Sequence, residues 1–219
     1  MIGVKEFIAE FHEEIDWVDK LKKRAKKEKK KESDIQKEWD EAREDGESIH
    51  NTLADNDVNN LKNVVKYTYT ESTASSPTDN KLEPGTIYLE KPLTSEKYKL
   101  KGRPDKLEVK GNKIYITDRK TWKTLYRNAL TILDNGFKIP PKKFYPPIEH
   151  LDFCNYNEAV LQLSFYAYLA WVNNKNLKIE ELYIEHIIHN RKKIIKKIMI
   201  QVPYLRSEIQ NLLKTIELG

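Results

Sequence analysis

Apolar residues recur at three- and four-residue steps from Val4 to about Lys31. Phe7, Phe11, Ile15, Val18 and Leu21 fall on one side and predict an amphipathic helix with an almost wholly basic last third. Ser33-Asp34 supplies a cap for a second helix from about Ile35 to Ala54. Residues 71–84 have loop composition. Thr86–Leu93 and Tyr98–Gly102 then read as strands joined by a turn around Thr94-Ser95-Glu96. Lys99–Lys110 and Lys113–Lys120 flank Gly111-Asn112, a two-residue hairpin signal. Thr121–Leu133 is expected to be helical at least in part. Asn135–Phe153, holding four of the nine prolines, is a long loop suited to a lid or substrate guide. Asn155–Val172 is a helix with Val160, Leu163, Ala167 and Ala170 as its core stripe. Leu182–Asn190 and Lys193–Val202 are strands, and Pro203 opens a last helix to about Ile216. The order of elements predicts an α/β fold, a mixed central sheet flanked by helices with N-terminal helices added. It divides into a basic N-terminal helix or appendage, 1–34, and a main domain, 35–219.

The hairpin is where chemistry enters. If Lys110 and Lys113 close the turn, Asp105 lies opposite Asp118, and directly opposed residues share a face with Cβ atoms roughly 4.5–5.5 Å apart. Lys120, two residues beyond Asp118, shares that face. Two carboxylates this close repel unless a positive group separates them, and Mg²⁺ or Mn²⁺ suits carboxylate oxygens. A lysine beside such an ion orients water or stabilises charge on a phosphate. An exposed hairpin with an Asp–Lys pair is the plainer explanation of the same triplet.

Three other places bear on that patch. His50 follows Gly46 by four residues on one helix face, and a glycine there, costing about 1 kcal/mol relative to alanine, calls for another element passing close by. His50 is then either a ligand through its neutral imidazole or an ordinary helix histidine. Gln162 and Tyr166 form an i, i+4 pair, either lining a polar pocket or exposed. Glu90, alone among apolar neighbours, faces solvent or stands behind the site.

Composition narrows the classes. The chain has 219 residues, 33% of them charged, and a net charge of +5, enough for one domain or one with an appendage. No apolar run approaches a membrane span, and the acidic residues near the N-terminus do not suit an export signal. The single cysteine, Cys154, allows no intramolecular disulfide and no four-cysteine cluster, and fits a reducing cytoplasm. Two basic runs, Leu21–Lys31 and Arg191–Lys197, suit polyanions. Lys123, Arg127, Trp122 and Tyr126 mix charge with stacking surface.

Taken in order, Gly46…His50, Gly102-Arg103-Pro104-Asp105, Asp118-Arg119-Lys120 with Thr121, and Gln162…Tyr166 resemble the PD-(D/E)XK nuclease superfamily, most closely its RecB-type branch. The likeness covers residues 46–170. It implies a restriction-endonuclease-like core and a divalent-metal-dependent deoxyribonuclease, an exonuclease or DNA-end-processing enzyme of replication, recombination or repair. By that resemblance His50, Asp105, Asp118 and the backbone carbonyl of Arg119 would bind Mg²⁺ or Mn²⁺. Lys120 would position the water and stabilise the phosphate. Gln162, Tyr166, Thr121 and Arg103 would support the site or contact the DNA, with Glu90 behind them. DNA is the implied partner, together with a helicase, recombinase or other replication protein and a homo-oligomeric state. The four cysteines that hold an iron–sulfur cluster in several RecB-type members are missing, so none is expected. Viral cap-snatching endonucleases carry a similar set on RNA, and a nucleic-acid-binding module that kept the fold without activity is the non-enzymatic alternative.

Overall fold

The computed structural model describes residues 1–68, 80–122, 125, 131–132, 138–139 and 142–218. In chain order the elements are β1 (Ile2–Gly3), α1 (Val4–Ala9), α2 (Trp17–Glu28), α3 (Glu32–Asn60), β2 (Val64–Lys66), β3 (Ile87–Leu89), β4 (Leu93–Ser95), β5 (Leu100–Gly102) and β6 (Lys106–Lys110). They continue with β7 (Lys113–Lys120), β8 (Thr131–Ile132), β9 (Lys138–Ile139), α4 (Asn155–Val172), β10 (Lys178–Asn190), β11 (Lys193–Val202) and α5 (Arg206–Leu218).

The fold is α/β. Its main sheet runs β11-β10-β7-β6-β3-β2 and is mixed: β7 and β10 are parallel, while β6–β7 and β10–β11 are antiparallel. A small sheet, β1-β5-β4, stands beside it. Helix α3 covers one face, where Ile49 and Leu53 meet Ile187, and Ala54 meets Ile87 and Leu89. Helix α4 covers the other face, backed by α1 and α5. This burial on two sides explains why α4 is apolar well beyond its expected stripe: Ala159 to Ala167 are all buried.

Several expectations are corrected. The single helix from Val4 to Lys31 is two. Helix α1 ends at Ala9, and α2 restarts behind Asp16, whose Oδ1 accepts the Asp19 amide at 2.8 Å. The apolar positions did not belong to one stripe. Val4, Phe7, Ile8 and Phe11 enter the main core, and β1 pairs with β5, so residues 2–11 are built into the body. Helix α2 packs instead on α3 through Arg24, which bonds Glu38 at 2.6 Å.

The strand expected over Thr86–Leu93 breaks at Glu90, which takes a left-handed φ of 57° and sends β4 into the small sheet. Within the stretch expected to be helical, Thr131–Ile132 is a strand paired with β9, both of its residues being β-branched. Residues 123–124, 126–130 and 133, and with them Lys123, Tyr126 and Arg127, lie outside the described residues, as do 71–79 of the expected loop. Of the proline-rich stretch, 135–137 and 140–141 also lie outside. Residues 142–153 are packed down rather than lid-like, with Phe144 and Ile148 buried and Lys143 bridged to Asp152. Helix α5 starts at Arg206, a little after Pro203. Cys154 is buried, and burial pushes its thiol up.

Candidate active site

Strands β6 and β7 pair Lys106 with Thr117, Leu107 with Ile116 and Lys110 with Lys113. That is the register a tight turn at Gly111-Asn112 dictates, and Gly111 takes the positive φ, 59°, the turn requires. One step past the Lys106–Thr117 pair stand Asp105 and Asp118. On β7 the apolar face of Ile114 and Ile116 continues into Asp118 and Lys120, so the same alternation that builds the core carries a carboxylate and an ammonium inward. Both are buried, Asp118 at 3% exposure and Lys120 at 7%.

A polar chain then runs from β7 to α4. Lys120 Nζ lies 2.5 Å from Asp118 Oδ2 and donates to Gln162 Oε1 at 2.9 Å. Gln162 Nε2 donates to the Tyr166 hydroxyl, which also accepts the Arg103 amide. A lysine can only donate, so Gln162 must turn its oxygen to Lys120 and its NH₂ to Tyr166. The pair is therefore buried rather than exposed. Lys120 also sits 5.3 Å above the Trp122 ring.

Asp105 is held differently. Its Oδ2 accepts the Arg119 amide at 2.5 Å, and its Oδ1 lies 3.3 Å from His50 Nδ1. A carboxylate only accepts, so Nδ1 carries the proton and Nε2 is the nitrogen left to meet another group. Burial pushes Asp105 up, but His50, the Arg119 amide and Lys120 outweigh it and hold the carboxyl well below the usual range. Asp118 is raised, because burial and the Asp105 charge outweigh Lys120. Burial lowers His50, but its bond to Asp105 wins and leaves it raised. Glu90 bonds Arg103 at 2.9 Å and is pushed up to about 7 by burial and by Asp105 beside it. It stands against Asp105 rather than in open solvent.

The two motif glycines lie at close approaches. A Cβ on Gly46 would come 2.9 Å from Thr121 Oγ1, so the element expected to pass this point of α3 is the end of β7. The Thr121 and Trp122 carbonyls in turn accept from His189 Nε2 at 3.2 Å and His186 Nε2 at 2.8 Å. Those two histidines pin the chain leaving β7 and do not converge on a shared site.

Three side chains, Asp57, Glu185 and Lys5, carry no local sequence signal. Arg119 points to the α3 face, where it bonds Asp57 of α3 and Glu185 of β10, the latter at 3.0 Å, so a buried guanidinium clamps the peptide that holds Asp105. Only the register of β7 against β10, which pairs Arg119 with Glu185, reveals that contact. Lys5 of α1 feels Lys120 most strongly, then burial, which lower it against the pull of Asp118, Asp105 and Glu158.

The fit of a divalent cation rests on the two carboxylates. Asp118 Oδ2 is buried with the Lys120 ammonium 2.5 Å away as its charge partner, and among the described residues no other donor reaches it. Two buried carboxylates with a single ammonium between Asp118 and Gln162 leave negative charge that a further cation would offset. Among the described residues, no three His, Cys, Asp or Glu side chains are drawn together as a ready-made metal site. His50 gathers with Asp105, and Asp118 with Lys120. Among those residues no helix is long and apolar enough to cross a membrane.

No protein-family model matches the chain, and no curated protein does. Among solved structures it is similar to one from Eubacterium rectale named "Putative exonuclease", with a TM-score of 0.34 and 16% identity over 63% of this chain and 42% of that one. The chain thus spans less than half the length of that protein. It is similar also to SSO0001, with a TM-score of 0.27 and 15% identity over 78% of this chain and 85% of that one. Likeness at these scores carries no argument about activity.

Proposed function

We propose that the chain is a divalent-metal-dependent deoxyribonuclease that hydrolyses phosphodiester bonds in DNA, working on DNA ends in replication, recombination or repair. The observation that carries this reading is the burial together of Asp105, Asp118 and Lys120, the ammonium lying 2.5 Å from Asp118 and held by Gln162. A phosphate brought there needs positive charge on both sides of its oxygens, and the pair of aspartates needs a cation between them.

His50 through Nε2, Asp105, Asp118 and the Arg119 carbonyl would hold Mg²⁺ or Mn²⁺, which would supply Lewis-acid stabilisation of the phosphate and ease loss of a proton from water. Lys120 donates to a phosphate oxygen or to the attacking water. Gln162 fixes the direction of Nζ, and Tyr166 fixes Gln162. Glu90, pushed up to about 7, is able to hold or release a proton beside Asp105 near neutral pH. Arg103, which pairs with Glu90, and Thr121, which packs against Gly46, would support the site.

The test is a time course with end-labelled linear and circular DNA, single- and double-stranded, beside matched RNA, with Mg²⁺, Mn²⁺ or chelator. Metal-dependent loss of linear DNA is expected, and cleaved circles would overturn the restriction to DNA ends and assign endonuclease action. Cleavage of RNA alone would move the substrate to the cap-snatching kind. No cleavage of any of these with either metal would overturn the proposal.

A further inference from the structure

We propose that the hairpin of β10 and β11 is the surface that grips the phosphate backbone of a nucleic-acid strand leading into the site, an inference that rests on the nuclease reading above. Strand β10 lies parallel to β7, with His186 beside Lys120, and continues through Ile187, Ile188, His189 and Asn190 past the end of β7. The hairpin therefore overhangs the end of the sheet where the buried aspartates lie. Its return strand is the sheet's edge and is largely exposed.

Register decides which lysines face the site. Pleating puts His186, Ile188 and Asn190 on one face, and His186 shares that face with Lys120. Lys196 pairs with Ile188 and, beyond a register shift that leaves Ile195 without a partner on β10, Lys193 pairs with Asn190, so both lysines lie on the face that carries Asp118 and Lys120. With strands about 4.8 Å apart and residues about 3.3 Å along, their backbones stand roughly 12 and 16 Å from Lys120. Arg191 and Lys192 close the tip between them.

Charge points to the occupant. Among the described residues, Arg191, Lys192, Lys193 and Lys196 have no acidic partner, and only Lys197, on the opposite face, nears a carboxylate, Glu185 at 3.7 Å. The basic run on α2 is partly neutralised within the chain: Lys23 pairs with Asp19, and Arg24 and Lys30 with Glu28 and Glu38. An exposed, unneutralised basic strip that continues a face bearing buried carboxylates and lysine fits a polyanion whose charges repeat along a line. Trp122, half-buried where β7 ends, offers a ring beside Lys120 at the site.

The test is fluorescence anisotropy of a labelled single-stranded oligodeoxynucleotide in chelator, over a salt series. It compares the wild-type chain, Lys193→Gln/Lys196→Gln, and the control Lys22→Gln/Lys26→Gln on α2. All are checked by circular dichroism, which exposed lysines should leave unchanged. Expected is at least tenfold weaker binding for the hairpin pair, with a salt slope reduced by about 0.7 per lysine, and no comparable change for the control. Equal affinity and slope in wild type and hairpin variant would overturn the proposal, as would a change in sedimentation instead of binding, which would assign the edge strand to self-association. If the wild type cleaves nothing yet its binding still depends on these lysines, the nuclease reading fails and the grip stands. If the wild type cleaves DNA with Mn²⁺ while the hairpin variant binds normally, the grip fails and the nuclease reading stands.

Discussion

Gly102 lies against the ring of Tyr166, so that a Cβ placed on it would stand 2.6 Å from Cε1 and 2.7 Å from Cδ1. The ring is buried and tied through its hydroxyl to Gln162, so it has nowhere to retreat. Gly102→Ala is expected to cost about 1–3 kcal/mol by overpacking and to loosen Gln162. Gly46→Ala meets one atom of a small side chain, Thr121 Oγ1 at 2.9 Å, rather than a ring, and gains about 1 kcal/mol in helix propensity, so it should cost less than Gly102→Ala. Chemical denaturation of the two variants checks the contrast; equal stabilities would contradict it.

The Asp118–Lys120 pair is buried on both sides, so removing one partner strands the other. Lys120→Met should destabilise the protein by about 3–5 kcal/mol. Lys120→Met/Asp118→Leu should recover most of that, since an apolar pair of similar volume replaces the ions. Urea melts of both in chelator measure it, and a double variant as unstable as the single would contradict it.

Arg119 bridges α3 and β10 through Asp57 and Glu185. Arg119→Met leaves two carboxylates facing a vacated cleft and should cost about 3–5 kcal/mol. Asp57→Ala should cost less, because Asp57 is 22% exposed and water takes over part of its role. Thermal melts of the two variants would rank them, and the reverse order would contradict the clamp.

Adding Mn²⁺ should raise the melting temperature of the wild-type chain. Occupancy at a hundred times the dissociation constant adds about 2.7 kcal/mol. The rise should vanish in Asp118→Asn, whose site loses a charged ligand. Differential scanning fluorimetry over a metal series reads both, and an equal rise in the variant would place the ion elsewhere.

What could be read from the sequence was what local geometry decides. Gly111-Asn112 fixed the hairpin register, and through it the neighbourhood of Asp105 and Asp118. Gly46 signalled a close neighbour because a helix glycine is costly, though not that Thr121 would be that neighbour. The helical period of α4 was plain, whereas α3 was placed by a cap at Ser33-Asp34 that lies inside the helix, which starts at Glu32 and runs on to Asn60. Phe7 and Phe11 were misassigned to one long helix, since the groups that hold them, the Phe165 ring against Phe7 and the Tyr145 amide donating to the Phe11 carbonyl, come from distant chain. The break at Glu90 was hidden because its left-handed backbone goes with contacts to Arg103 and Asp105 that exist only after folding. Asp57, Glu185 and Lys5 read as ordinary surface charges until α3, β10 and α1 come together around β7.

The most direct measurement is single-turnover cleavage of end-labelled single-stranded DNA with Mn²⁺, by the wild-type chain, Asp118→Asn and Gln162→Leu, each confirmed folded by circular dichroism. Expected is cleavage by the wild type, none by Asp118→Asn, and a rate about 10- to 100-fold lower for Gln162→Leu, whose loss frees Lys120. Undiminished cleavage by folded Asp118→Asn would contradict the assignment of the site.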